Sequence, residues 1–111
     1  MNITIGGRGS GRTTELIKAC AADKGSVIVS PTRRNAEYIA NLAKQMGLDI
    51  PEPISFEQFQ NRWYQGNRVS GFYFDNLDAI LSMLSGGVPI RDATFEAVLT
   101  ENVLWLDPTQ N

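Results

Sequence analysis

Residues Ser26–Ser30 read Ser-Val-Ile-Val-Ser, whose centre, Val27–Val29, is a continuous β-branched run without polar alternation. A strand with one face in water alternates apolar and polar residues. An unbroken run marks a strand buried on both faces, so it needs covering elements on either side of a sheet. The flanking sequence supplies them. Asn2–Ile5 is a short β-type run ending at Gly6, and the segment from Thr13 to about Asp23 favours helix, with Gly25 as its stop. Pro31 punctuates the central run. Ala36, Ile39, Ala40, Ala43 and Met46 then fall at helical spacing, and Gly47 closes that helix.

The second half repeats the alternation. A weaker, proline-bounded strand is expected near Pro53–Ser55, followed by a helix to about Tyr64 with Phe56, Phe59 and Trp63 on one side. A turn-rich loop leads into Gly71–Asp75, an aromatic strand that ends in an acid. Leu77, Ile80, Leu81 and Leu84 make the next apolar stripe, halted by Gly86 and Gly87. A short helix around Asp92–Thr100, using Phe95, Val98 and Leu99, precedes a last strand, Asn102–Asp107, which also ends in an acid. Strands separated by single helices give βα units. The expected fold is therefore α/β, a three-layer α/β/α sandwich with a mostly parallel sheet of about five strands. A chain of 111 residues makes one domain, residues 1–111. Ligands of such sheets bind at the carboxyl ends of the strands, which makes the residues just after each strand the ones to inspect.

After the first strand, Gly6, Gly11, Arg12 and Thr13 fit Gly-x-x-x-x-Gly-Lys-Ser/Thr at every position except the lysine. Backbone amides can wrap a phosphate only where side chains do not obstruct them, which suits Gly7, Gly9 and Gly11. The helix beginning near Thr13 would turn its free amides and positive dipole end to the same anion. Gly6, Gly7, Arg8, Gly9, Ser10, Gly11, Arg12, Thr13 and Thr14 are thus candidates to bind a polyphosphate, with the Thr13 hydroxyl offered to Mg²⁺. A ligand-free turn is the bland alternative, although so many glycines are costly to order. Arg12 keeps the charge of the missing lysine but not its compact ammonium, so binding should tolerate this residue better than fast hydrolysis does.

Asp75 would hold Mg²⁺ through water opposite Thr13, since a triphosphate needs a cation placed between hydroxyl and carboxylate. The following residue, Asn76, can orient a water but cannot take its proton, and Asp78 is a substitute acid nearby. Arg12, Asp75 and Asn76 are the candidate catalytic residues, and Thr13 and Asp75 the candidate metal ligands. Helix capping by Asp75 or Asn76 is the competing reading. Composition removes other chemistries. The chain has no histidine and one cysteine, Cys20, which excludes Ser-His-Asp catalysis, common zinc sites and an internal disulfide. Cys20 reads as a buried structural thiol, and a reducing cytoplasm fits. A net charge of −2 argues against a generally basic nucleic-acid binder while allowing a local basic patch. No apolar run approaches a membrane span and no signal peptide is visible, so no membrane association is expected.

The order of these segments resembles P-loop NTPases, and within them the first RecA-like domain of superfamily-one helicases. The resemblance rests on the glycine loop, Thr32 to Ala36 after the second strand, Ile54 to Phe59, Phe72 to Asp78, and the Asp107, Pro108 and Gln110 of the last segment. It spans nearly the whole chain. It implies ATP or another nucleoside triphosphate with Mg²⁺ as cofactors, a γ-phosphate sensor role for Gln110, Asp107 near the magnesium shell, and single-stranded nucleic acid against Thr32 and Arg33. A solvated helix start is the bland reading of Arg33 and Arg34. The second RecA-like domain of such helicases has no counterpart here, which implies weak hydrolysis or hydrolysis that depends on a protein partner completing the site. Similar minimal P-loop proteins occur in phage genomes. The alternative is a catalytically degenerate P-loop-fold interaction protein that binds a partner through exposed aromatics among Trp63, Tyr64, Phe72, Tyr73 and Trp105.

Overall fold

The computed structural model describes residues 11–64, 66 and 68–94. Along the chain these form α1 (Arg12–Ala22), β1 (Ser26–Ser30), α2 (Arg33–Gln45), β2 (Ile54–Ser55), α3 (Phe56–Gln60), β3 (Gly71–Phe74) and α4 (Leu77–Leu84). The sheet order is β2-β1-β3 with both pairings parallel. β1 is therefore flanked on both edges, and all its residues are buried, Val27–Val29 as their unbroken apolar run requires and Ser26 and Ser30 with them.

Successive strand residues point to opposite faces, so the register sorts the side chains. Ile28 lies beside Tyr73, and both pack against Ile17 and Cys20 of α1 and Ile39 and Ala43 of α2. Val27 and Val29 lie beside Phe72 and Phe74 on the opposite face. There Phe59 of α3 meets Phe72 edge-on at 5.0 Å and Phe74 at 5.1 Å, and Tyr64 meets Phe72 at 4.8 Å. Helices thus cover the sheet from both sides, in the α/β arrangement expected.

The described sheet has three strands where about five were expected; the expected strands at 2–5 and 102–107 lie outside the described residues. Of the expected helix around Asp92–Thr100, residues 92–94 are irregular and 95–100 lie outside the described residues. β2 is shorter than its sequence run because Pro51 and Pro53 have no N–H to donate. α3 stops at Gln60, short of the expected Tyr64. Arg62 takes a left-handed φ of 56°, which turns the chain and leaves Trp63 61% exposed. Trp63 consequently leaves the apolar side it was expected to share with Phe56 and Phe59.

A helix as short as α3 does not hold itself in water and depends on its ends. Ser55 Oγ accepts from the Gln58 amide at 3.1 Å, while Gln58 Oε1 accepts from the Ser55 amide at 2.9 Å, a reciprocal capping box. Ser55→Ala is expected to cost about 1 kcal/mol, read as a lower urea midpoint.

At the amino ends of β1 and β3 a polar knot joins the end of α1 to the sheet. Asp23 Oδ2 accepts from Ser26 Oγ and from Tyr73 Oη, each at 2.9 Å, and Ser70 Oγ donates to the Lys24 carbonyl at 3.0 Å. The chain reaches β1 through Gly25 at φ 87°, where an added Cβ would stand 3.2 Å from Ser70 Oγ. Cys20 is buried and donates to the Ser26 carbonyl at 3.3 Å. Burial, and then the nearby Asp23, push its thiol pKa up, so it is the inert structural thiol expected. Among the described residues no helix is long and apolar enough to cross a membrane.

Candidate functional site

The Asp75 amide donates to the Val29 carbonyl at 2.9 Å, fixing Asp75 at the carboxyl end of the sheet just beyond β3. The next residue, Asn76, has φ 61° and ψ 54°, a left-handed conformation that asparagine tolerates better than most residues. Its carbonyl accepts from the amides of Ala79 and Ile80, but among the described residues no side chain caps α4. Neither Asp75 nor Asn76 therefore spends its side chain on the capping role that competed with a catalytic one.

Asp75 points to α1 instead. Thr13 Oγ1 donates to Asp75 Oδ1 at 3.2 Å, bringing together side chains 62 residues apart. Gly11, with φ 77°, is the position from which the chain enters α1. Its N-cap is Gly11, which has no side chain, so among the described residues no side chain caps the first amides of α1. α2 and α3, in contrast, are capped by Thr32 and Ser55.

Burial raises the Asp75 carboxyl above its ordinary range; the Thr13 hydrogen bond and the Arg12 charge oppose this shift, and Asp78 adds to it. Arg12 is exposed, while Thr13, Thr14 and Asp75 are partly buried. A hydroxyl beside a partly desolvated carboxylate is a hard-oxygen pair that fits Mg²⁺. Among the described residues no group of three or more His, Cys, Asp or Glu side chains could hold a metal. A cation here would need further oxygens from water and phosphate, which is the usual habit of Mg²⁺.

Of the sequence candidates, Gly11 precedes α1 and Arg12, Thr13 and Thr14 open it; Thr13 bonds to Asp75 and the Arg12 charge acts on the same carboxyl. Gly6, Gly7, Arg8, Gly9, Ser10, Asp107 and Gln110 lie outside the described residues. Thr32, expected against nucleic acid, has its hydroxyl engaged locally: it accepts from the Asn35 amide at 3.2 Å and donates to Asn35 Oδ1 at 2.7 Å. Arg33 and Arg34 are exposed at the start of α2, as the solvated reading expects. Of the candidate exposed aromatics, Trp63 is exposed, Tyr64, Phe72 and Tyr73 are half-buried, and Trp105 lies outside the described residues.

A cleft of about 530 Å³ lies elsewhere, lined by Arg33, Glu37, Pro53, Trp63, Tyr64 and Arg68 among others, with neither Thr13 nor Asp75 in its wall. Size alone does not mark the place where the hydroxyl and carboxylate converge. One residue that sequence reasoning passed over also belongs to the carboxyl end of the sheet. Ser30 is fully buried at the end of β1, and its hydroxyl has no hydrogen-bond partner among the described residues. A serine closing a strand gives no periodic signal; only burial makes it conspicuous.

No family model matches this chain, and neither a curated protein nor a solved structure matches it significantly.

Proposed function

We propose that this protein binds a nucleoside triphosphate, ATP with Mg²⁺, as a minimal P-loop, RecA-like domain with weak or partner-dependent hydrolysis. The hydrogen bond from Thr13 Oγ1 to Asp75 Oδ1 carries the reading. In this reading the glycine-loop motif and the acid after an aromatic strand are two halves of one cation site, and their side chains, Thr13 and Asp75, meet. The left-handed Gly11 at the N-cap of α1 gives further support. In this reading the segment from Gly6 to Gly11 supplies amides to the phosphates, and Thr13 and Asp75 hold the cation. Mg²⁺ would neutralise phosphate charge. Arg12 would lie along the phosphates, and Asn76 would orient a water without taking its proton, which keeps turnover slow. The strands expected at 2–5 and 102–107 would complete a three-layer sandwich.

Titration of labelled ATP and GTP, with and without Mg²⁺, tests this. Saturable, Mg²⁺-dependent binding is expected, and failure of both nucleotides to bind at millimolar concentration rules the reading out. Arg12→Lys restores the compact ammonium of the motif and is expected to raise phosphate release about tenfold at saturating ATP. The exposed Trp63 favours the second reading, a degenerate P-loop-fold interaction protein. Partner capture that ignores nucleotide, together with no ATP binding, would favour that alternative.

A further inference from the structure

Ser30 is 0% exposed, and its Oγ is the buried side-chain polar atom without a partner among the described residues. Burying a hydroxyl without a hydrogen bond is costly, and folds rarely retain such a group without a use for it. Register fixes the neighbourhood. Val29 pairs with Phe74, and the Asp75 amide bonds to the Val29 carbonyl, so Ser30 and Asp75 occupy adjacent positions one step beyond that pair. Ser30 lies two residues after Ile28 and Asp75 two residues after Tyr73. Ile28 and Tyr73 both face the cluster built on Ile17 and Cys20 of α1. By the two-residue period of a strand, Ser30 and Asp75 share that face, the one on which Thr13 reaches Asp75. Ser30 thus lies beneath the start of α1, on the sheet floor of the Thr13–Asp75 pair.

Resting on the nucleotide-binding reading, we propose that Ser30 is a positioning residue of the cation site, its hydroxyl anchoring the water through which Asp75 holds Mg²⁺. A magnesium-bound water donates strongly and needs fixed acceptors, and Mg²⁺ keeps several such waters when it binds with phosphate. The Ser30 oxygen accepts from that water and its own proton is free to reach the carboxylate. Among the described residues the hydroxyl has no partner; the loaded site would use it.

The test follows Mn²⁺ as a spectroscopic probe for Mg²⁺, titrated by electron paramagnetic resonance in the presence of a non-hydrolysable ATP analogue. Alongside it, urea unfolding is measured without metal or nucleotide. Ser30→Ala is expected to weaken Mn²⁺ binding about five- to tenfold, the effect of one lost water-mediated bond. Metal-free stability should be equal to wild type or higher, because an orphan hydroxyl has gone. Ser30→Cys, close in size but a weak hydrogen-bonding group, should repeat the loss, and Ser30→Thr should restore binding. Wild-type Mn²⁺ affinity in Ser30→Ala overturns the proposal while leaving the nucleotide reading intact. Wild-type protein that binds no analogue at millimolar concentration overturns both. A Ser30→Ala protein that loses stability without metal, and loses binding only in proportion, assigns the hydroxyl a structural role and also overturns it.

Discussion

Asp75→Asn is expected to weaken Mg²⁺-dependent nucleotide binding about 10–100-fold while leaving the protein at least as resistant to urea as wild type. Asparagine keeps an oxygen where Thr13 Oγ1 now donates at 3.2 Å, so the local geometry can persist without the charge. Burial is the largest cause acting on the Asp75 carboxyl and raises its pKa; the Thr13 bond and Arg12 offset only part of that rise. The direction sets the pH dependence. The fold favours the protonated acid, a contribution fully present below the unfolded-state value and lost as pH climbs through the raised one. Once ionised, Asp75 therefore weighs against folding, and the uncharged variant escapes that cost. The stability gap between Asp75→Asn and wild type should open as pH rises through the raised value and close in acid. Urea midpoints across this range measure it. A cation supplies the compensation that the bare fold lacks, so adding Mg²⁺ and nucleotide should stabilise wild type and not the variant. A variant that is less stable at neutral pH and equally good at binding would make Asp75 a structural ion, and the cation-site reading would fail.

Much of this arrangement was legible where periodicity and punctuation agree. Ser26–Ser30 lacks alternation because β2 and β3 flank it and helices lie on both faces, and Gly25 and Gly47 mark turns through their positive φ. The approach of Thr13 to Asp75 was expected for a different reason, that a glycine loop and a strand-ending acid would share one cation; what the structure gives is the hydrogen bond between them. The misreadings have local causes. Helical spacing put Trp63 with Phe56 and Phe59, but the left-handed Arg62 breaks the helix first, and Tyr64 is the residue that reaches Phe72. Helical spacing also put Leu77, Ile80, Leu81 and Leu84 on one stripe, yet among them only Ile80 is fully buried by the described residues, at 1% exposure. Thr32 matched a motif position while its hydroxyl closes the Asn35 turn, a local bond that competes for any Ser or Thr beside a helix start. Ser30 gave no signal in the sequence: the information lies in its burial, a tertiary property.

The largest effect on the fold is expected from Ile28→Ala, at about 2–5 kcal/mol. Against a total stability of roughly 5–15 kcal/mol for a domain, that loss brings the protein close to unfolding at ambient temperature. Ile28 is fully buried at the centre of β1, and its neighbours in the core come from several elements: Ile17 and Cys20 from α1, Ile39 and Ala43 from α2. Tyr73 stands beside it on β3. No one element can move in to fill the space, which is the condition under which a cavity keeps its full cost. Leu84→Ala, at a residue 57% exposed, should cost less than about 0.5 kcal/mol in the same assay and serves as the control. Far-ultraviolet circular dichroism is the suitable readout, since Trp63 is already 61% exposed and reports poorly on core packing. The consequence extends to the site. Ile17 and Cys20 seat α1 on Ile28, and Thr13 on that helix meets Asp75, so loosening the seat should disperse the pair. In Ile28→Ala, nucleotide binding and stability should therefore fall together and recover together in a stabilising osmolyte. Asp75→Asn should separate them, losing binding with the fold intact. A cost below about 1 kcal/mol for Ile28→Ala would mean that the helices do not pack on the sheet as described, and Thr13 would then have no fixed approach to Asp75.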